Sequence, residues 1–434
     1  MNPFALAFAL ATLCLSLAVF ARLKELRPVW FWYVTGYPVT ALRIIRTWHK
    51  LCVLNDLAVS PRPARTLLGD LIVRGQALRP VAPRISFPKA TRTGVSVVVK
   101  LHPGQTPDPF IAASDALAHA WQVHAVRVTS PERGIVHLLA TASDPLERPA
   151  LAHAPSAHLS AVVGILESGV AWVMNLRQVP HWLISGATQS GKSTLLARFI
   201  SELAPQDVAL IGIDCKGGME LGLFEPRLSA LTTNRREAVA VLSALCIEMY
   251  ERMATCRAAG VRSIWELPEK MRPVPIVVAV DELAELYLSD GTREGKHQAE
   301  QCGTFLLRIT QLGAALGLHV IVAGQRIGSE LGPGVTALRA QLSGRACHRV
   351  NDGGTAEMTL GDLNKDAVAA AQSITTEEKG VAICTDADGH WSRARSHKMT
   401  TEDAQKIAVT YAERTPTLRR VQQALLAAEG GWDE

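Results

Sequence analysis

The chain lacks the marks of several common protein classes. Its eight cysteines (14, 52, 215, 246, 256, 302, 347 and 384) form no C-x-x-C pair and have no histidine at metal-ligand spacing. That removes a zinc site and leaves most of them as small core residues of a reduced compartment. Aromatic residues make up only 5% of a sequence that is 48% hydrophobic, which is ordinary for a globular α/β chain outside its first fifty residues. No charge occurs from Pro3 to Ala21. Residues 1–5 carry no lysine or arginine and no small-residue cleavage site closes the run, which argues against a signal peptide.

What is present in excess is positive charge just beyond that run. Residues 21–100 hold fourteen lysines and arginines against three acids, although the whole chain nets only +5. Beside an apolar N-terminus, this excess speaks of membrane topology before DNA binding. The nineteen residues Pro3–Ala21 are long enough to cross a hydrocarbon core of ~30 Å. A buried helix is the plainer alternative. Val29–Leu42 is a second apolar stretch, with Trp30, Phe31, Trp32 and Tyr33 at one end and Trp48 beyond the other, but interrupted by Gly36, Pro38 and Arg43. One span places Arg22, Lys24 and Arg27 inside; two spans place them outside, against the positive-inside trend. The reading leans to two, and in either case Arg43–Lys50 and everything after it are cytoplasmic.

At 434 residues there is room for two or three domains. Residues 1–50 read as a membrane anchor, and 51–90, with Pro61, Pro63, Pro80, Pro83 and Pro88, as a loose connector. Residues 91–160 read as a small α+β module: a strand at Gly94–Leu101, a helix at Asp108–Trp121, and strands at Val123–Val128 and Ile135–Ala140. A hairpin-like piece, Val162–Leu166 and Val170–Leu176, opens the region 161–400. Residues 401–434 offer one or two helices.

Chemistry concentrates in 161–400. Gly186-Ala187-Thr188-Gln189-Ser190-Gly191-Lys192-Ser193 fits G-x-x-x-x-G-K-[ST] and is followed by Thr194. An apolar strand precedes it (Trp182, Leu183, Ile184), and a helical run follows (Leu195, Leu196, Phe199, Ile200). In this arrangement backbone N–H groups curl around phosphates, and the helix offers them its positive end. Lys192 reaches the β- and γ-phosphates, and the Ser193 hydroxyl ligates Mg²⁺. Five more apolar strand candidates follow: Val208–Ile213, Val274–Val280, His319–Ala323, Arg345–Val350 and Gly380–Cys384. Alternation with helical patterns argues a mainly parallel sheet with its ligand, ATP with Mg²⁺, at the strand C-terminal ends.

Val274–Val280 runs into Asp281-Glu282, the Walker B order: Asp281 for the Mg²⁺ shell and Glu282 to polarise the attacking water. The plainer view is two acids favouring a helix N-terminus. Gln325, at the tip of a neighbouring strand, either touches the γ-phosphate or the attacking water, or sits in a solvated loop. Lys216, after Asp214, either meets phosphate or faces solvent. Gln341–Arg345 resembles the signature peptide of ABC transporters. That peptide lies between Walker A and Walker B, however, and here it comes after both, which excludes that family.

Taken together, these motifs resemble the FtsK/SpoIIIE family of double-stranded DNA translocases. The resemblance rests on Pro180–Thr188, Ile211–Lys216, Val277–Leu286 and Ala323–Arg326, and covers about residues 90–400. Ser343–Val350 and Thr355–Asp362 are similar to Tra-type conjugative transfer proteins of actinobacterial plasmids and integrative elements. The resemblance implies a RecA-like P-loop ATPase motor that assembles as a hexamer around duplex DNA, with ATP between subunits. It also implies an arginine supplied by the neighbour, for which Arg345 is the matching position; a structural ion pair is the alternative. Departures occur at Asp214-Cys215-Lys216, where the family has Asp-Pro-Lys, and at Ala323-Gly324-Gln325-Arg326-Ile327, where it has Ala-Thr-Gln-Arg-Pro. The tail after residue 400 is too short for the winged-helix domain of many members, so non-specific phosphate-backbone binding is expected. The implied function is membrane-anchored DNA pumping in conjugation. A scaffold ATPase that recruits a transfer substrate, and a chromosome-segregation pump, are the rival readings.

Overall fold

A computed structural model describes residues 22, 28–59, 80–91, 93–147, 157–289, 291–361, 365–386 and 389–429. The chain divides into two compact units, residues 1–147 and 148–434. The apolar run Pro3–Ala21 lies outside the described residues.

In the first unit the chain enters through a helical turn at Pro28–Phe31 and a π-turn at Trp32–Gly36, then forms the helix Tyr37–Leu54. Strands β1 (Arg84–Ile85), β2 (Lys89–Ala90), β3 (Gly94–Lys100), β4 (Ala125–Thr129) and β5 (Ile135–Thr141) make an antiparallel sheet ordered β1-β3-β5-β4, with β2 also on β3. Alternation decides which face is buried. Val95, Val97 and Val99 of β3 and Val136, Leu138 and Ala140 of β5 point inward, against Phe110, Leu117 and Trp121 from the helices Asp108–Ala112 and Ser114–Trp121.

The same core takes Ile44, Trp48, Leu51 and Cys52 from Tyr37–Leu54. Trp48 Nε1 donates to the Pro83 carbonyl at 2.8 Å, and the Tyr33 and Tyr37 hydroxyls donate to the carbonyls of Thr91 and Pro88. This corrects the second expected span. The stretch Val29–Leu42 is helical, but its helix packs into the module, and among the described residues no helix is long and apolar enough to cross a membrane. The described parts of the expected connector, 51–59 and 80–90, likewise belong to this unit.

The second unit is built on a ten-stranded sheet: β6 (Ser160–Leu166), β7 (Ala171–Asn175), β8 (His181–Ser185), β9 (Ala209–Ile213), β10 (Ala230–Thr232), β11 (Ile276–Val280), β12 (Leu318–Gly324), β13 (Gly344–His348), β14 (Val381–Thr385) and β15 (Trp391–Ser396). Their order is β10-β9-β11-β12-β8-β13-β14-β15-β6-β7. Pairings from β10 to β13 are parallel, and those from β13 to β7 are antiparallel. The sheet is therefore mixed, where a mainly parallel one was expected. β14 returns against β13, and the hairpin β6–β7 extends the same sheet through β15.

The central strands are buried on both faces, as parallel strands between helices must be. Ile211, Val278, Val320 and Leu183 face the helices Arg235–Ala258 and Arg293–Leu312. Trp182, Ile184, Val277, Ala279 and Ile321 face the helix Lys192–Leu203. The expected tail helices join these layers. Thr401–Thr410 buries Ala404 and Ala408 in the second core, and Arg419–Glu429 buries Val421 in the first.

Candidate nucleotide site

β8, β11 and β12 run parallel and in register, so their C-terminal ends deliver three functional segments to one edge. From β8 comes the loop Gly186–Gly191, which leads into the helix Lys192–Leu203; Ser193 and Thr194 lie in its first turn. The loop needs glycine where the motif has it. Gly186 has φ +152° and Gly191 +121°. A Cβ on Gly186 would lie 2.6 Å from Ser190 Oγ, and one on Gly191 would lie 2.7 Å from Gly380 Cα. Gln189, at φ 59°, takes the left-handed conformation without being glycine.

The loop is braced from elsewhere in the chain. Ala187 N donates to the Arg349 carbonyl at 2.8 Å, and Gly380 N donates to the Ser190 carbonyl at 2.9 Å. His348 lies under the loop. Its Nδ1 is 2.9 Å from the Val381 carbonyl, and burial pushes its pKa down to about 4, so the ring stays neutral beside Lys192. Neither Gly380 nor His348 was singled out from sequence, because a bracing contact between distant segments leaves no local pattern.

Lys192 Nζ donates to the Gly186 carbonyl at 2.7 Å and to the Ala187 carbonyl at 3.3 Å, curled over its own loop. Burial lowers its pKa, against the pull of Glu282 and Asp281. At the end of β11, Asp281 and Glu282 are both buried. Burial raises Asp281 to about 6 against the opposing effect of Lys216, with Asp214, Glu220 and Glu282 adding to the rise.

At the end of β12, Gln325 is exposed. Its backbone N–H donates to Glu282 Oε1 at 3.1 Å, and its side-chain Oε1 accepts from Thr188 Oγ1 at 3.1 Å. Gln325 thus links the glycine loop to the acid. Lys216 faces the acids: its Nζ lies 3.6 Å from Asp281 Oδ2 and 3.5 Å from Glu282 Oε2. Asp214 fixes the turn that carries Lys216, accepting from the N–H groups of Lys216, Glu220 and Leu221.

Arg345 lies away from the acids at the end of β11, in a strand of its own. It lies in β13, 6% exposed, and its Nη2 donates to the Arg339 carbonyl at 2.8 Å. The matching position for an arginine supplied by the neighbour is thus buried and bonded within its own chain.

The donor set suits a magnesium-bound triphosphate. It offers a loop that tolerates no Cβ at two points, a lysine, a hydroxyl at a helix start and two buried carboxylates across from them. Within the loop, the Ser190 hydroxyl is buried without a hydrogen-bond partner among the described residues.

Comparison with known proteins agrees with this geometry. Residues 145–329 match the FtsK/SpoIIIE family, and residues 18–142 match the actinomycete conjugal transfer protein N-terminal domain. Transfer protein TraSA of Streptomyces ambofaciens is 41% identical over 388 residues, which cover 86% of this chain and 93% of that protein. The DNA translocase FtsK of Campylobacter jejuni is 30% identical over 195 residues, 42% of this chain and 20% of FtsK. The solved structure of the pCW3 conjugation coupling protein TcpA, a monomer form with ATPgS, superposes with a TM-score of 0.56 at 19% identity. It covers 84% of this chain and 98% of that one, a likeness of fold.

Proposed function

Because the chain belongs to the FtsK/SpoIIIE family and is a P-loop ATPase, we propose that it is a membrane-attached double-stranded DNA translocase that moves plasmid or integrative-element DNA in conjugation. The motor works in the cytoplasm as a homo-hexamer around the duplex. The observation that carries the reading is the convergence of Lys192, Asp281, Glu282 and Gln325 at one sheet edge, in a chain 41% identical to a transfer protein over most of its length.

In this reading the backbone of Gly186–Gly191 and the start of the helix Lys192–Leu203 hold the β- and γ-phosphates of ATP. Lys192 turns from its own carbonyls to the phosphates and supplies the charge they need. Ser193 and Asp281 would hold Mg²⁺, which would supply positive charge against the phosphates. Glu282 orients the attacking water and accepts its proton. Gln325 shares Glu282 through its backbone and Thr188 through its side chain, so a change at the γ-phosphate shifts the end of β12.

ATP hydrolysis should rise severalfold with linear duplex DNA and much less with single strands, and the protein should displace a bound roadblock from duplex DNA using ATP. Equal rates with and without DNA, or hydrolysis without displacement, would instead favour a scaffold that recruits a transfer substrate.

A further inference from the structure

The N-terminal unit leaves several large apolar side chains uncovered. Along the helical stretch 28–54, Trp30, Val34, Val39, Leu42 and Ile45 are exposed, Val34 to 67%. Phe87, 71% exposed, belongs to the turn that Tyr37 fixes through the Pro88 carbonyl. Two elements joined by that hydrogen bond thus both expose large apolar side chains. Monomers in water rarely leave such surfaces bare without a partner for them.

The exposed charges on these elements are basic. Arg46 and Lys50 are exposed on the same helix, ahead of the exposed Val53 and Leu54 at its end, and Arg84 and Lys89 are exposed on the strands beside Phe87. Between residues 28 and 107 the only acids are Asp56 and Asp70. A second copy of this face would bring cation against cation. The sequence places the uncharged run Pro3–Ala21 six residues ahead of the helix, with Arg22, Lys24, Glu25 and Arg27 between them.

We propose that the N-terminal unit rests on an anionic lipid bilayer, with Trp30, Val34, Leu42, Ile45 and Phe87 entering the acyl boundary and the cations meeting headgroup phosphates. The inference rests on the membrane attachment proposed above and deepens it by naming the surface. Apolar burial and headgroup charge together set the strength of such binding. The stretch Val29–Leu42 then lies on the membrane, its buried face in the module and its exposed face in lipid.

The test uses the full chain in vesicles of phosphatidylcholine and phosphatidylglycerol, with the photo-crosslinker p-benzoylphenylalanine placed at Leu42, at Phe87 or, as a control in the motor unit, at Val409. Lipid adducts are expected at Leu42 and Phe87 and not at Val409. Arg46→Glu together with Lys50→Glu should lower the adduct yield about fivefold for each cation removed. Adducts to protein at Leu42 and Phe87, or none, in a chain that still floats with the vesicles would overturn this surface and leave membrane attachment standing. A chain that does not float overturns both. Neither result bears on DNA-stimulated ATP hydrolysis, which the motor unit reports separately.

Discussion

Lys216 Nζ lies 3.5 Å from Glu282 Oε2 and nearly as close to Asp281, so one flexible cation balances two buried acids. Burial works against the lysine's charge, but the two carboxylates outweigh it and hold its pKa above the usual range. Opposite charges at such distances are worth a few kcal/mol at a protein surface. Without the lysine, incoming phosphates meet two uncompensated carboxylates unless a metal arrives with them. Lys216→Met should weaken nucleotide binding in EDTA by about tenfold while leaving affinity in excess Mg²⁺ within about threefold. Titration with fluorescent ADP under both conditions measures the ratio; an unchanged ratio would show that the lysine does not balance the acids.

Glu282→Gln and Lys192→Ala should fail in different ways. The glutamine keeps the shape of the site and loses the base, so turnover should fall by about 10²–10⁴ while ATP still binds. The alanine removes a phosphate ligand and should weaken ATP binding itself. Nucleotide titration beside steady-state ATPase separates the two. Strong hydrolysis by the glutamine variant would remove Glu282 from the chemistry.

The raised pKa of Asp281, about 6, gives a signed prediction. Between its unfolded value near 4 and about 6, the folded ligand-free protein holds a proton that the unfolded chain has released. The contribution of this group to stability is therefore present at acid pH and lost as pH rises through that window. Metal-dependent nucleotide binding needs the ionised form and should weaken toward tenfold per pH unit below about 6. Asp281→Asn should flatten the pH dependence, raise the melting temperature of the ligand-free chain at pH 8 and abolish Mg²⁺-dependent binding.

Arg345→Ala separates a structural arginine from one that acts on a neighbour's nucleotide. A buried guanidinium bonded to the Arg339 carbonyl should cost about 2 kcal/mol when removed. A lower denaturation midpoint is the expected result. Normal stability with lost turnover would instead assign Arg345 to a neighbour's nucleotide.

Gly380 has φ +82° and its N–H braces the Ser190 carbonyl. Gly380→Ala forces a left-handed alanine worth about 1 kcal/mol or more of strain, which the turn can relieve only by shifting under the glycine loop. ATP affinity should fall about fivefold or more. Unchanged affinity would show that the brace is dispensable.

What the sequence reveals about this fold follows the reach of each signal. The glycine loop and the acids after β11 are contiguous in the chain, so their residue types and spacing announce them. Lys216, Gly380 and His348 reach the site from segments between twenty-four and nearly two hundred residues away, and only the folded sheet brings them there. Strand direction is equally silent: Val381–Thr385 reads like any buried strand, and its antiparallel return is set by the chain between it and β13. Val29–Leu42 misleads for a different reason. Apolar helical residues serve a module core and a bilayer alike, and Trp32 and Tyr37 of this stretch pack against the module core without the chain crossing a membrane there.

The pairing of β15 with β6 also sets a schedule. Ala394 sits opposite Leu166, so the sheet cannot close until more than two hundred further residues have been made. At synthesis rates of ~5–20 residues per second, roughly ten to fifty seconds separate the two partners on the ribosome. The N-terminal unit has no such debt to later sequence and can settle first. A nascent chain would therefore have its leading unit in place before the brace at Gly380 exists, and would acquire a finished nucleotide pocket only near the end of its synthesis.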